Sequence, residues 1–257
     1  MADKQVQTLD RSLDILETLS KNKSALGVTE IGKKVGLSKS TVHRTLQTLV
    51  WRGYVEKDLD NDLYKLGLKI VELASTLLND MDIRKIAGPV MEQAATTLEE
   101  AVHLVLLDNG EVVYIDTKTS SSKIINMYSR VGRRAPVHAT AVGKAMLAFL
   151  PEETAIEIIK KRGLRKITET TITDADKLME HLKKIRIDKI GHDDEENEVG
   201  IHCIATPILD YTGLVVGGVS VSGPASRMIE KGLEEMGAII KKVGEEISTR
   251  MGYVGKR

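Results

Sequence analysis

Cysteine is nearly missing from this 257-residue chain, where Cys203 is the only one. A lone cysteine excludes an internal disulfide and fits a reducing compartment. Long apolar runs are missing as well, and none approaches the roughly 20 residues needed to span a bilayer. The opening MADKQVQTLDRSLDIL scatters charges among its apolar residues. It offers no uninterrupted apolar segment of the kind a secretion signal needs, so a cytoplasmic protein with no membrane partner is expected. Net charge is absent too: 37 Lys+Arg balance 37 Asp+Glu, and the whole molecule has no net attraction to a polyanion. There is no internal repeat and no low-complexity segment. What is present, 42% hydrophobic and 29% charged residues, suits a globular protein with room for two cores.

The charge balance hides a division. Within residues 1–57 ten Lys and Arg stand against six Asp and Glu, a net of +4, which leaves −4 for the remainder. That basic excess coincides with the stretch TEIGKKVGLSKSTVHRTLQTLVWRGYVEKD at residues 29–58. Ile31 and Val35 mark the inner face of a short helix, Gly36 permits a sharp turn, and Ser38 is a good N-cap for a second helix running to about Arg52. Val42, Leu46, Leu49 and Val50 form the buried stripe of that second helix, and Trp51 at its end is expected to anchor a wing. Segments 54–57 and 63–66 flank Asp60-Asn61-Asp62 and read as a two-stranded hairpin. In this order the elements spell a winged helix-turn-helix whose second helix enters the major groove of double-stranded DNA. The candidate DNA contacts are Ser38, Lys39, Ser40, Thr41, His43, Arg44 and Gln47, with short hydroxyls near phosphates and Arg or Gln long enough to reach base edges. An ordinary helical hairpin with a solvated polar face is the alternative. Val6, Leu9, Leu13, Leu16 and Leu19 follow helical spacing and mark the domain's first helix.

Residues 67–82 read as an amphipathic connecting helix, with Ile70, Val71, Ala74, Leu77 and Leu78 on its apolar side. Beyond it helical and alternating patterns mix. Helices are expected at 83–99, 140–149, 152–162, 174–189 (capped by Thr173) and 228–250. Strands are expected at 102–107 and 112–116 around Asp108-Asn109-Gly110, at 124–128, and at 203–209 and 214–221 around Asp210-Tyr211-Thr212-Gly213. The fold class is α+β: a DNA-binding domain at 1–66, a linker helix at 67–82, and a second domain at 83–257 with an antiparallel sheet flanked by helices.

LSKSTVHRTLQTLVWRGYVEKD followed by YKLG, then PVHATAVGKAMLAFLP, then DDEENEVGIHCIATPILD with VSVSGP, resemble in order the winged helix, the start of the effector pocket and the C-terminal signature of the IclR-type transcriptional regulators of bacteria and archaea. The resemblance covers nearly the whole chain. It implies a GAF-like second domain with a six-stranded antiparallel sheet and assembly as a homodimer or dimer of dimers. It also implies control, with repression the expected sign, of an operon for small carbon compounds in response to a small organic acid. No cofactor is implied. Carried over residue by residue, the effector contacts fall on Ala141, Val142, Gly143, Asp193, Cys203, Ser220 and Ser222. The chain departs from the family at Lys189, Ile190 and His192, where glycine, an aromatic and an apolar residue are usual. Ligand identity is therefore not implied.

The residues have readings of their own. Small residues opening a helix at 138–144 leave backbone N–H groups for a carboxylate, although Ala141 and Gly143 would equally permit tight helix packing. Ser220 and Ser222 alternate with Val219 and Val221, so both hydroxyls share one strand face. In the acidic run 193–196, Asp193 alone is assigned to the pocket, while Asp194, Glu195 and Glu196 are expected to fix a loop by accepting backbone N–H bonds. His138, His192, Asp193, His202 and Cys203 include the ligand types zinc prefers. Adjacent strand residues face opposite sides, however, so no metal site is expected and zinc between Asp193 and Cys203 would be incidental. No catalytic residue is expected either. Cys203 with His138 or His202 and Asp193 could supply nucleophile, base and orienter, yet Cys203 sits inside apolar CIATPIL without a nucleophile turn. A ligand-responsive regulator is thus favoured over an architectural DNA-binding protein without a ligand, and both over a cysteine-dependent enzyme.

Overall fold

In this computed structural model the described residues are 6–22, 24–58, 60–119 and 131–255. Contacts divide the chain into two units, Met1–Asp80 and Met81–Arg257.

The first unit runs α1 (Gln7–Lys21), β1 (Leu26–Gly27), α2 (Val28–Val35), α3 (Lys39–Trp51), β2 (Val55–Lys57), β3 (Leu63–Leu66) and α4 (Lys69–Asp80). Gly36 ends α2 in the left-handed region at φ 68°, a conformation that suits glycine because it has no Cβ. Ser38 then caps α3, its hydroxyl accepting the Thr41 N–H at 3.3 Å. Val42, Leu46 and Leu49 of α3 join Ile15, Leu19, Ile31, Val55 and Tyr64 in one core. The hairpin has a third strand that was not anticipated: β1 pairs with β3, giving the order β1-β3-β2. The expected first helix is α1; Leu9 and Leu13 are exposed on it, as is Val6 just before it, and only Ile15 and Leu19 are buried, because the core lies under the last turns of that helix. One expectation fails here: Trp51 is not an anchor, for it stands exposed, on the side of α3 opposite its buried stripe. Helix α4 buries no residue.

The second unit opens with α5 (Asp82–Leu98), β4 (Ala101–Asp108) and β5 (Glu111–Lys118). There follow β6 (Arg134–Pro136), α6 (Ala141–Leu147), α7 (Glu152–Arg162), α8 (Ala175–Asp188), β7 (Gly191–Asp194), β8 (Ile201–Leu209), β9 (Val215–Pro224), α9 (Ala225–Lys231) and α10 (Leu233–Arg250). Among the described residues the sheet has six strands in the order β6-β5-β4-β9-β8-β7, with every neighbouring pair antiparallel. Side chains alternate between its faces. Ala205 packs with α6 in a core that includes Val142, Ala145 and Met146, whereas Ile204 and Thr206 face Gly237 and Gly244 of α10. Helices therefore cover both faces. Asp174, not Thr173, caps α8, accepting the Lys177 N–H at 2.8 Å. The closing helix is two helices, broken at Gly232 with φ 86°. The expected strand at 124–128 lies outside the described residues, and β6 was not anticipated.

Candidate functional site

The side of α3 opposite its buried stripe, where the DNA contacts are expected, is built for solvent. Lys39, Ser40, His43, Arg44 and Gln47 are exposed and Thr41 is half-buried. Ser38 spends its hydroxyl on the helix, within 3.0 Å of Ser40 Oγ and 2.9 Å of Thr41 Oγ1, so its role is to set the start of α3. Among the described residues Lys39 and Arg44 enter no ion pair, which leaves their charges available to an outside anion. In the hairpin Lys57 pairs with Asp62 at 2.5 Å.

The second unit concentrates polar groups in its interior. Register brings Asp193 of β7 opposite Cys203 of β8, and Cys203 opposite Ser222 of β9. Ser220 stands one step along, opposite Ala205 on one side and His103 of β4 on the other. Directly opposed residues of antiparallel strands share a face, so Asp193, Cys203, Ser220 and Ser222 form a patch under the start of α6. The cavity there is narrow, about 10 Å³, and is lined by Tyr114, Thr140, Ala141, Val142, Asp193, Asn197, Glu198, Ile201, Cys203, Ser220 and Ser222.

Gly143 is not among the lining residues. A Cβ there would stand 2.4 Å from the Val137 carbonyl oxygen, and its N–H is donated to Thr140 Oγ1 at 3.2 Å. Its part is tight packing, and only the N–H groups of Ala141 and Val142 remain to face the cavity in the first turn of α6.

The acidic run divides its labour differently from the expectation. Asp193 accepts the backbone N–H groups of Glu196 and Asn197 at 2.8 and 3.2 Å, so it fixes the loop while also lining the cavity. Burial pushes its carboxyl up to about 7, against the pull of Lys144 and those two N–H groups. Glu195 does accept a backbone N–H, that of Gly200 at 2.6 Å. Asp194 instead lies 3.3 Å from His202 Nδ1. Glu196 pairs through its side chain with fully buried Lys144, and its carbonyl accepts the hydroxyls of Thr168 and Thr171. This ion pair was missed in the sequence, although a single Lys inside apolar AVGKAMLAFL is a signal that a buried charge needs a partner.

Neither alternative chemistry finds its geometry. The Ser222 hydroxyl donates a hydrogen bond to Cys203 Sγ at 3.1 Å, and burial pushes the thiol's pKa well up, away from a reactive thiolate. His138 Nε2 is 3.1 Å from the Arg165 carbonyl oxygen, and His202 points to the other face of β8, its ring 5.8 Å from that of His192. Neither histidine therefore stands beside the sulfur, whose carboxyl neighbour Asp193 only raises the thiol's proton affinity further. Among the described residues no three His, Cys, Asp or Glu side chains are grouped as metal ligands. His103 is buried beside the patch on the same sheet face, with Nδ1 3.0 Å from Thr117 Oγ1 and its ring edge-on to Tyr114. Burial pushes it down to about 4, so the ring is neutral at pH 7.

Comparison with known proteins bears on both surfaces. A family model described as the IclR helix-turn-helix domain matches residues 8–59, and one described as the bacterial transcriptional regulator IclR C-terminal matches residues 75–249. The transcriptional regulator KdgR of Escherichia coli is 37% identical over 254 residues, covering 98% of this chain and 96% of that protein. The crystal structure of the Thermotoga maritima IclR superposes with a TM-score of 0.81 at 37% identity, over 97% of this chain and 100% of that one. An IclR homologue of Microbacterium hydrocarbonoxydans, solved in complex with 4-hydroxybenzoate, gives a TM-score of 0.82 at 27% identity over 95% and 98% of the two chains. With a reading helix open to solvent at one end of the sequence and a polar cavity at the other, this chain belongs to the IclR family of DNA-binding transcriptional regulators.

Proposed function

We propose that the second unit senses a small organic acid in the cavity between α6 and strands β7–β9, and that this ligand controls the hold of α3 on operator DNA. The observation that carries the reading is the convergence of Ala141, Val142, Asp193, Cys203, Ser220 and Ser222 on one cavity. Its chemistry suits an acid in a definite way. The Ser220 hydroxyl, the Asn197 amide and two N–H groups of α6 are donors for ligand oxygens, while the Ser222 hydroxyl donates to Cys203 Sγ. Asp193, its carboxyl raised by burial to about 7, donates to a carboxylate in its protonated form. Lys144, whose charge acts on Asp193, supplies positive potential close by. The solved relative bound to 4-hydroxybenzoate supports a carboxylate ligand for the family's effector domain.

The regulator works in the cytoplasm as a two-fold assembly, a homodimer or a dimer of dimers. Helix α4 exposes Val71, Leu73 and Leu77, and α1 exposes Val6, Leu9 and Leu13; these apolar faces are natural contacts between copies. Two reading helices related by two-fold symmetry fit a pseudo-palindromic operator. Repression by the ligand-free assembly, relieved by the acid, is the sign we propose, and it is checked by transcription from the bound promoter.

Thermal shift with a panel of two- to seven-carbon acids, including 4-hydroxybenzoate, tests the sensor. A cognate acid at 100 times its Kd should stabilise the protein by about 2.7 kcal/mol, and Ser220→Ala should lose that shift. No stabilisation by any acid, or an equal shift in Ser220→Ala, removes the cavity from the account. Light scattering at micromolar concentration tests the assembly, and a strictly monomeric active species contradicts it.

A further inference from the structure

The recognition helix ends on a side chain that the fold does not use. Trp51 is 80% exposed in the last turn of α3, with the Arg52 guanidinium 5.9 Å from its ring centroid. The buried stripe of α3 is Val42, Leu46 and Leu49. On the opposite side Ser40, Arg44, Gln47 and Trp51 follow at i, i+4, i+7 and i+11, one row along the helix, and all four are exposed. Trp51 stands about 10 Å beyond Arg44 along that row at ~1.5 Å rise per residue. The major groove is about 12 Å wide. With Arg44 over base edges, the indole arrives at the groove wall, where deoxyribose and phosphate stand. The partner is also set by charge, since Lys39, Arg44 and Arg52 surround the row with cations and suit a polyanion.

We propose that Trp51 is a DNA-backbone contact: its ring packs on a deoxyribose at the groove edge and its Nε1–H donates to a phosphate oxygen, while Arg52 pairs with the same strand. The contact extends the reading surface one turn beyond Gln47. It positions the helix on the duplex without reading sequence. It rests on the DNA-binding role of α3 and not on the effector reading.

Trp51 is the only tryptophan, so fluorescence reports on it alone. Full-length protein is titrated with a mixed-sequence 30-base-pair duplex at low salt. Saturating duplex should lower the acrylamide quenching constant of Trp51 at least twofold. Trp51→Ala should weaken duplex binding by about five- to tenfold, with an unchanged melting temperature and an unchanged salt slope because no charge is removed. Trp51→Phe should recover part of the loss, and Arg52→Ala should flatten the salt slope by about one unit. The proposal is overturned if the wild type binds duplex while Trp51 quenching stays the same, or if Trp51→Ala binds as tightly as wild type. It is equally overturned if quenching of the free protein rises on dilution, which would place a second copy over the indole. A wild type that does not bind duplex at all would instead remove the DNA role of α3, and this contact with it.

Discussion

The two surfaces through which this chain meets other molecules are built on opposite plans. The side chains of α3 proposed to face DNA are exposed but for half-buried Thr41, and Lys39 and Arg44 form no ion pair among the described residues; the polar groups around the cavity are buried and committed to one another. Asp193 holds two backbone N–H groups, Lys144 holds Glu196, and the Glu196 carbonyl takes two threonine hydroxyls. The difference separates two kinds of sensitivity. A reader on α3 can change without disturbing the fold, so DNA specificity can vary at little cost in stability. A cavity residue such as Asp193 holds a loop as well as facing the proposed ligand, so its replacement should act on affinity and stability together.

The largest expected effect is at the buried ion pair. Lys144→Met should cost about 3–5 kcal/mol in urea unfolding, because Glu196 is left buried without its cation, and Lys144→Met with Glu196→Met should recover much of the loss. A single variant as stable as wild type would erase the contrast between the two surfaces.

Asp193 sharpens the comparison through pH. Its folded pKa, about 7, lies above the unfolded value near 3.8, so the folded state holds a proton that the unfolded chain releases. The contribution is fully present below about 4, declines as pH rises, and is lost above 7. Asp193→Asn keeps an oxygen for the two N–H groups but has no proton to lose. Its stability relative to wild type should therefore rise between pH 4 and 7, by up to about 1.4 kcal/mol per pH unit, and level off above. His103 and His181, both pushed down to about 4 by burial, act in the opposite sense below pH 6.5 in both proteins, so only the difference between variant and wild type isolates Asp193. A pH-independent difference would contradict the assignment.

On the open surface, Arg44→Ala should weaken operator binding by about 1–3 kcal/mol through loss of a base contact, and Lys39→Ala should weaken all sequences and flatten the salt slope. Neither should shift the melting temperature. A change in melting comparable to the change in binding would show that α3 is not the open surface described. Smallest of all, Ser222→Ala removes one hydroxyl-to-sulfur bond and should cost about 0.5–1.5 kcal/mol, measured by thermal unfolding.

The same contrast governs what could be read from the sequence. The helix-turn-helix is specified locally: Gly36, the Ser38 cap and the Val42–Leu46–Leu49 stripe are near neighbours whose roles follow from short-range geometry. Strand alternation likewise placed Ser220 and Ser222 on one face. The ion pair joins residues 52 positions apart, and no periodicity links them. Gly143 was given to the ligand because small residues at a helix start serve binding and packing alike, and only the nearby Val137 carbonyl decides between the two. Trp51 was expected to anchor the wing on its apolar character, against the phase of its own helix. The break at Gly232 was hidden by an amphipathic pattern that continues on both sides of it.

The central claim, that an acid in the cavity and DNA on α3 are coupled, is tested most directly by calorimetry. The acid found by thermal shift is titrated into the protein with and without operator, for wild type and for Ser220→Ala. The account predicts that operator changes the acid's affinity in wild type by about 5–150-fold and that the acid changes operator affinity by the same factor. It predicts no such change in Ser220→Ala, which should bind operator as the unliganded wild type does. Equal acid affinity with and without operator, or a wild-type response in Ser220→Ala, would contradict it.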